Sequence, residues 1–279
     1  MPDELARSTS AYLFSEVGVE DEAGRLRKQA AMVLALKLPG ILDSIPKGGS
    51  FFDLGCGIGL LADAVARARP DVRVCGFDAD KLAVEKSTLH FGSRHSVTFG
   101  LRRIEEGPPP GLPPADTAVM RLVLMHLPEP KKALRAAASW LKPGGVLHVI
   151  EGDDRALAME PTLPCLNEVL DLMERVQVRK GGSRRLGRDL SALMNSAGWN
   201  IAGECRHAPE PRLAAEAFPA VFLPVAEYYL DQAVQLTLAD SAAVLELKRA
   251  LRNSGGRAIE RATIPIYHTW ASFSFLGPE

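Results

Sequence analysis

Cysteine is scarce in this sequence, and the few cysteines follow no recognisable pairing pattern. They form no Cys-x-x-Cys pair and have no zinc-finger spacing with a histidine. The four residues are Cys56, Cys75, Cys165 and Cys205. We therefore expect reduced thiols that pack as small apolar groups, and no metal site.

Net charge and long apolar runs are also limited. The formal net charge is −1 over 279 residues, so no strong field attracts polyanions and we expect no nucleic-acid partner. The N-terminal MPDELARSTS has no apolar signal segment, and no stretch reads as long and apolar enough to cross a bilayer. We therefore expect a cytoplasmic protein without stable membrane insertion. Arg184, Arg185 and Arg188 are interpreted as a solvated face beside a helix.

The sequence does contain a repeated alternation of short apolar runs and amphipathic stretches, beginning near residue 50. The predicted strands are SFFDL (50–54), VRVCGFD (72–78), SVTFGL (96–101), TAVMRLV (117–123), VLHVIE (146–151), WNIAGECR (199–206) and IYHTWASFSF (266–275). Strands that alternate with helices imply parallel pairing and right-handed crossovers. The predicted fold is therefore α/β: a doubly wound, mostly parallel, seven-stranded Rossmann-like sheet.

Two helical regions flank or interrupt this alternation. Residues 22–38 read as a helix that Pro39-Gly40 stops, within an N-terminal helical lid that we place at 1–45. The main domain is placed at 46–279. It includes a helical insertion at about 211–260, rich in alanine, leucine and valine, before the last strand.

The strongest motif is FFDLGCGIG (51–59), at the junction of a strand and a helix. Glycines there allow a tight turn and let a ligand approach the backbone and the helix start. Asp78 ends the next strand, where a carboxylate can accept both hydroxyls of a ribose. Dinucleotide enzymes prefer Gly-x-Gly-x-x-Gly under a pyrophosphate. Here the third glycine, Gly59, comes one residue too early, and Asp53 favours a cationic ligand instead.

Four segments together resemble a known family. FFDLGCGIG, GFDAD, RLVLMHLPEP and LKPGGVLHVIE are similar to the motifs of class I S-adenosylmethionine-dependent methyltransferases, over about residues 50–155. The branch they resemble is the small-molecule group that includes the quinone C-methyltransferases (methyltransferase type 11). The segment RRLGRDLSALMNSAGW is similar to the family's segment before the sixth strand.

The resemblance implies roles for the glycine-rich loop. The backbone of Gly55, Cys56 and Gly57 would face the amino-acid part of S-adenosylmethionine, and Gly59 would complete the loop. Asp53 would orient the cofactor's ammonium, directly or through water.

Roles at the nucleoside end follow from the same resemblance. Asp78 would bind the ribose, and Ala79 would lie by the adenine. After the third strand the family usually has an aspartate near the adenine amino group, but here that place falls on Arg103 and Ile104. Arginine has no acceptor for an amino group. The Ile104 backbone could still bind adenine, or Glu105 could substitute for the aspartate.

Three further residues have both a binding and a structural interpretation. Tyr12 and Gln29 resemble part of a lid helix found in some family members, but each could simply anchor an N-terminal helix. Arg121 ends the fourth strand, where open α/β sheets bind ligands, and a cation there could meet the cofactor carboxylate. A structural salt bridge of Arg121 is the competing interpretation.

Two residues are candidates for the general base. His126 follows the fourth strand and could accept a proton near neutral pH. Its structural alternative is a hydrogen-bonded histidine that braces the loop before Pro128. Glu151 ends the fifth strand, near where an acceptor would lie.

Methyl transfer to a small organic acceptor, such as a secondary metabolite or a lipid-like molecule, is the leading hypothesis. The alternatives are a nicotinamide oxidoreductase, arsenite methylation through Cys56, Cys165 and Cys205, and a non-catalytic cofactor-binding module. RLVLMHL lacks the Asn/Asp-Pro-Pro-aromatic run that grips a flipped base, which disfavours nucleic-acid methylation. The acceptor's identity, the methylated atom and a homodimer are left open.

Overall fold

The structure is a computed structural model, and it describes residues 19–92, 97–255 and 259–273. Its helices are α1 (Val19–Asp43), α2 (Leu60–Ala68), α3 (Lys81–Phe91), α4 (Pro130–Ala137), α5 (Leu166–Arg179), α6 (Leu190–Ser196), α7 (Pro211–Gln235) and α8 (Ser241–Gly255). Its strands are β1 (Ser50–Leu54), β2 (Arg73–Asp78), β3 (Val97–Leu101), β4 (Ala115–Arg121), β5 (Leu141–Gly152), β6 (Ala158–Glu160), β7 (Trp199–His207), β8 (Arg261–Thr263) and β9 (Ile266–Phe273).

The main sheet has seven strands in the order β3-β2-β1-β4-β5-β9-β7. The first five pair in parallel, and β9 runs antiparallel between β5 and β7. This confirms the predicted doubly wound, seven-stranded α/β sheet. A second sheet, in which β6 and β8 pair antiparallel, was not predicted.

Apolar clusters on the two faces of the main sheet, together called the sheet core, and a separate second core stabilise the molecule. Alternate residues of β1 point to opposite faces, so Phe51 packs with Leu61 and Val65 of α2 on one face, and Phe52 packs with Trp140 on the other. The second core joins α5, α7 and α8 to the small sheet. The helical insertion therefore has its own core and packs beside the sheet.

Helix α1 extends further than the sequence predicts. The predicted stop at Pro39-Gly40 is wrong, since the helix continues through Pro39 to Asp43. Proline removes one backbone hydrogen bond from a helix interior. Ile41 is fully buried against α2 and β1 and outweighs that loss.

Helix α7 corrects the expectation that no segment could cross a bilayer. By length and composition it qualifies: it has 25 residues, and its most apolar window has a mean hydropathy of 1.2. Core helices of soluble proteins pass the same test. Phe218, Tyr229 and Leu230 of α7 are buried in the second core, whereas 39% of the most apolar window as a whole is buried.

Candidate active site

A cavity of about 300 Å³ opens at the carboxyl ends of the parallel strands. Open α/β sheets bind ligands at this edge. The loops that follow β1, β2, β3, β4 and β5 form its floor, and Arg25, Leu26 and Gln29 of α1 line one side. Helix α7 and the turn between β8 and β9 close the other side.

The loop after β1 is held against β2. The N–H groups of Gly55 and Cys56 both donate to the carbonyl of Phe77, at 2.8 and 3.0 Å. A Cβ at Gly55 would lie 2.4 Å from Val123 Cγ2, so only glycine fits there. Gly57 has φ +52° and nothing within 4 Å of a built Cβ. Its backbone therefore faces open space in the cavity, as the prediction requires.

Gly59 has a different role from the other two glycines. It caps α2 with φ +80° and does not line the cavity. A Cβ at Gly59 would lie 2.7 Å from the Phe99 ring and 2.9 Å from Ser87 Cβ. Gly59 thus permits close packing of α2 against β3 and α3, and we assign it no ligand contact.

Asp78 ends β2 with its carboxylate at the cavity wall. Its Oδ2 accepts the Gly57 N–H at 2.7 Å, and its Oδ1 accepts the Asp80 N–H at 2.9 Å. Each carboxylate oxygen offers about two acceptor positions, so both oxygens keep one for a ligand. Burial raises the pKa of Asp78, and the two N–H donors oppose that shift. Ala79 follows it in the cavity wall.

Asp53 lies beneath the loop and does not line the cavity. Burial raises the pKa of its carboxyl to about 7, and Arg121 opposes this shift. Its Oδ2 has no hydrogen-bond partner among the described residues. A cation in the cavity above would offset the desolvation of this carboxylate.

The predicted adenine end is lined by Arg103, Ile104 and Glu105. The Ile104 carbonyl already accepts the Trp140 Nε1–H at 3.0 Å and the Gly107 N–H at 3.1 Å. Its two lone pairs are therefore in use. Glu105 lies 3.9 Å from Arg103 Nε and presents a carboxylate in the cavity wall. Of the two alternatives left by the sequence, Glu105 is the better acceptor for an amino group.

Arg121 lies at the end of β4 and lines the cavity. Burial lowers the pKa of its guanidinium, and the carboxylates of Asp53 and Glu151 oppose that shift. Arg121 therefore places a cation at the carboxyl edge, where the sequence predicts one.

His126 lines the cavity, but its surroundings do not suit a general base. Burial, reinforced by the positive charges of Arg184, Arg25 and Lys180, lowers the pKa of His126 to about 3. Its Nδ1 lies 3.2 Å from Gln177 Nε2. The ring is therefore neutral at physiological pH, and one of its nitrogens is already engaged.

Glu151 is fully buried and does not line the cavity. Its Oε1 accepts the N–H groups of Val123 and Leu124, at 2.9 and 2.7 Å. Burial raises the pKa of this carboxyl to about 8, although the backbone donors oppose the shift. Glu151 thus caps the short 3₁₀ helix that carries His126. Since it cannot touch an acceptor here, this position disfavours it as a general base.

The structure also places side chains in the site that the sequence did not single out. Arg184, interpreted as part of a solvated face, lines the cavity: its Nε donates to Asp154 Oδ2 at 2.5 Å, and its guanidinium lies 4.9 Å from the centre of the Tyr229 ring. Arg185 does pair with Asp171 at the surface. No local pattern marks Arg184, because the partners of its side chain lie 30 or more residues away.

The cysteines do not gather at the cavity. Cys56 lines it, whereas Cys165 and Cys205 do not. Over residues 19–92, 97–255 and 259–273, no three His, Cys, Asp or Glu residues form a group that could hold a metal ion.

Of the two predicted lid residues, Tyr12 lies outside the described residues. Gln29 lines the cavity beside Arg25.

Residues 52–147 match a family model described as a methyltransferase domain. This segment is a class I methyltransferase domain. It contains the glycine-rich loop, Asp78, Arg121 and His126. The chain is also 35% identical over 105 residues to the ubiquinone biosynthesis O-methyltransferase of Alkalilimnicola ehrlichii, a match that covers 37% of this chain and 41% of that protein. The chain therefore spans about two fifths of the length of this relative.

Solved structures share the overall fold of this chain. A putative sarcosine dimethylglycine methyltransferase from Galdieria sulphuraria has a TM-score of 0.52 at 17% identity, covering 88% of this chain and 85% of that one. The cyclopropane synthase MmaA2 from Mycobacterium tuberculosis has a TM-score of 0.53 at 17% identity, covering 85% and 84%. Because the two names differ in reaction, the fold alone does not specify the chemistry.

The cavity of the methyltransferase domain fits S-adenosylmethionine. The Gly57 backbone borders open space, and Asp78 keeps two acceptor positions that suit a cis-diol. The unpartnered Asp53 Oδ2 lies below, where a cationic ligand would stabilise the ionised carboxylate. A pyrophosphate would instead place negative charge above Asp53, which disfavours a dinucleotide.

Proposed function

We propose that this protein transfers a methyl group from S-adenosylmethionine to a small organic acceptor. The observation that carries the proposal is the Asp78 carboxylate, which is fixed by two backbone N–H groups and opens onto the cavity. The family model over residues 52–147 supports it. The cytoplasmic location and the homodimer stay predictions.

The residues divide the cavity into a cofactor end and an acceptor end. The loops after β1, β2 and β3 provide the polar cofactor end. Side chains of the insertion and of the neighbouring strands provide an apolar acceptor end, formed by Leu157, Val221, Phe222, Val225, Tyr228, Tyr229, Ile264 and Pro265. This composition suits an acceptor with an apolar or aromatic body.

The sulfonium methyl of the bound cofactor is itself electrophilic, so the chain's residues have three tasks. They position the acceptor, exclude water and provide a matching electrostatic field. Val221, Phe222 and Val225 line the acceptor end with apolar side chains, which would exclude water from a bound acceptor. Asp78 and the Gly57 backbone fix the cofactor end, while His126 and Arg184 face the acceptor end.

The alternative functions fit the site less well. Nicotinamide oxidoreduction requires a pyrophosphate over the loop, above the buried Asp53. Thiolate-based arsenite methylation requires cysteines that converge, but Cys165 and Cys205 lie away from the cavity. A non-catalytic cofactor-binding module would have the same cofactor site, so only a measurement of methyl transfer distinguishes it from an enzyme.

Transfer of an isotope-labelled methyl group tests the proposal. We expect labelled product and S-adenosylhomocysteine when the protein is incubated with methyl-labelled S-adenosylmethionine and a panel of aromatic and aliphatic hydroxyl, amine and carboxylate acceptors, with mass-spectrometric detection. Binding to NAD and no binding to S-adenosylmethionine would contradict the proposal. Binding to S-adenosylmethionine without transfer to any class of the panel would favour the non-catalytic module.

A further inference from the structure

The turn that follows β4 has a strained backbone. Leu122 has φ +56°, in the left-handed region. That region is unfavourable for a residue with a Cβ, and such residues persist only where the surrounding structure holds them. Leu122 also lines the cavity, together with Val123 and Met125 from the same turn. A strained turn at the cavity wall therefore depends on the contacts that hold it.

Two consecutive residues of β5 hold this turn by hydrogen bonds. The Leu122 N–H donates to the Ile150 carbonyl at 2.8 Å. The next two N–H groups, those of Val123 and Leu124, both donate to Glu151 Oε1, at 2.9 and 2.7 Å. Glu151 is fully buried. Loss of its carboxyl would leave the buried Leu124 N–H without its acceptor, which is costly.

The Val123 side chain connects this turn to the glycine-rich loop. A Cβ at Gly55 would lie 2.4 Å from Val123 Cγ2 and 3.1 Å from Cγ1, so both branches of the valine rest on the Gly55 backbone. The N–H groups of Gly55 and Cys56 donate to the Phe77 carbonyl of β2. Gly55 is therefore held by β2 through its N–H and by Val123 at its Cα. A displaced Val123 would release one of these two constraints.

A carboxyl in the place of Glu151 is costly for stability. Its Oε2 has no hydrogen-bond partner among the described residues, and burial raises its pKa to about 8. An apolar side chain of similar size would avoid that desolvation, but it could not accept the two N–H groups of the turn. What the carboxyl adds at this position is therefore the fixed turn.

We propose that Glu151 is a positioning residue for the cofactor, acting through the turn at residues 122–124 and the Val123 side chain on the glycine-rich loop. The proposal rests on the proposed function, in which the loop backbone at residues 55–57 faces the amino-acid part of the cofactor. The role needs no contact between Glu151 and a ligand. The nucleoside end depends less on this contact, because Asp78 ends β2 and also accepts the Asp80 N–H.

The first test compares two ligands by calorimetry. S-adenosylhomocysteine contains the amino-acid part, whereas 5′-methylthioadenosine shares its nucleoside and sulfur but lacks that part. Glu151→Leu should weaken S-adenosylhomocysteine by roughly tenfold or more, the usual effect of a buried donor without an acceptor. It should weaken 5′-methylthioadenosine much less. Glu151→Gln keeps an acceptor for both N–H groups and should retain the wild-type ratio of the two affinities.

Asp116→Leu is the matched control for this comparison. Asp116 is also a carboxylate of the main sheet that accepts a backbone N–H, that of Ser50 at 2.8 Å, but it lies at the amino ends of the strands. Its loss should lower the free energy of unfolding and leave the affinity ratio unchanged. Equal weakening of both ligands in Glu151→Leu, or the same change of ratio in Asp116→Leu, would overturn the proposal, because either result would show a global effect.

The second test needs no ligand. NMR-detected hydrogen exchange follows the amides of Gly55 and Cys56, which donate to the Phe77 carbonyl. In Glu151→Leu and in Val123→Ala these amides should exchange faster relative to the amides of β2, because the loop loses the contact at Gly55. In Glu151→Gln they should exchange as in wild type. Unchanged relative exchange in both Glu151→Leu and Val123→Ala would overturn the proposal.

The outcomes separate the two proposals. If wild type binds neither ligand, the proposed function fails, while the exchange test still decides whether Glu151 fixes the loop. If Glu151→Leu does not fold, as judged by circular dichroism, Val123→Ala carries both tests, since it removes the side chain on Gly55 and keeps both hydrogen bonds to Glu151. In that case an unchanged affinity ratio together with unchanged exchange in Val123→Ala would overturn the inference.

Discussion

At the scale of single residues, two buried carboxyl groups lie outside the cavity lining, near the guanidinium of Arg121, which does line the cavity. Asp53 and Glu151 each have one oxygen without a hydrogen-bond partner among the described residues. Arg121 stabilises the ionised form of both. Burial nevertheless dominates and raises both pKa values, to about 7 and about 8. A cationic ligand in the cavity would shift these carboxyls toward ionisation.

The raised pKa of Glu151 predicts how stability depends on pH. In the unfolded chain this carboxyl loses its proton near pH ~4.3, and in the folded protein near pH 8. Between these values the folded state binds more protons, so stability falls as pH rises, by up to about 1.4 kcal/mol per pH unit for this group. Glu151→Gln keeps an acceptor for Val123 and Leu124 and should flatten this decline.

Urea unfolding between pH 5 and pH 8 measures the effect. The exposed Glu216→Gln on α7 is the matched control and should retain the wild-type slope. An identical slope in wild type and Glu151→Gln would show that Glu151 is ionised in the folded protein throughout.

Sequence reasoning located the cofactor end of the site better than the acceptor end. Asp53, Gly55, Gly57 and Asp78 follow two adjacent strands, so their spacing alone brings them together. Gln177 contacts His126 across 51 residues of chain, and Tyr229 contacts Gln177 across 52, and only the tertiary fold creates these contacts. No periodicity or local motif carries that information.

At the scale of elements, helix α1 contacts the apolar core of the sheet at one end and lines the cavity at the other. Its C-terminal part packs Ile41 against α2, and its N-terminal half lines the cavity through Arg25, Leu26 and Gln29. One end is thus anchored in the core, while the other lies where a cofactor would bind. This arrangement supports the lid that the sequence predicts.

Hydrogen exchange tests the lid. Amides of residues 24–31 should exchange more slowly once S-adenosylhomocysteine is bound, because the ligand fills the cavity that these residues line. Helix α8 packs only in the second core and serves as the internal control. If both segments respond equally, the effect is global stabilisation; if residues 24–31 do not change at saturation, the lid is refuted.

The elements that sequence patterns missed all depend on tertiary contacts, which a local pattern does not show. β6 and β8 have three residues each and pair across about 100 residues of chain, so neither shows a period. Helix α1 continues through Pro39 because burial of Ile41 outweighs a local helix-breaking preference. The inner parallel strands β1 and β4 were predictable, since burial on both faces makes them almost continuously apolar.

At the scale of the whole molecule, the cavity lies where two cores meet. The sheet core positions the loops of the methyltransferase domain, and the core of α5, α7 and α8 positions the acceptor end. In the proposed function the sheet edge serves the cofactor and the insertion serves the acceptor, so the two ends would be able to vary independently. The sequence predicted a helical insertion at about 211–260 but not the cationic, aromatic lining of the second end.

The central claim, that this cavity binds S-adenosylmethionine through Asp78, is tested most directly by calorimetry with wild type, Asp78→Ala and Asp71→Ala. Asp71 is the matched control, because it also accepts a glycine N–H but lies just before β2, at the strand's opposite end. Wild type and Asp71→Ala should bind S-adenosylmethionine and S-adenosylhomocysteine alike. Asp78→Ala should lose roughly 1.5–3 kcal/mol of binding free energy while remaining folded. Equal affinity in Asp78→Ala and Asp71→Ala, or no binding in wild type, would contradict the account.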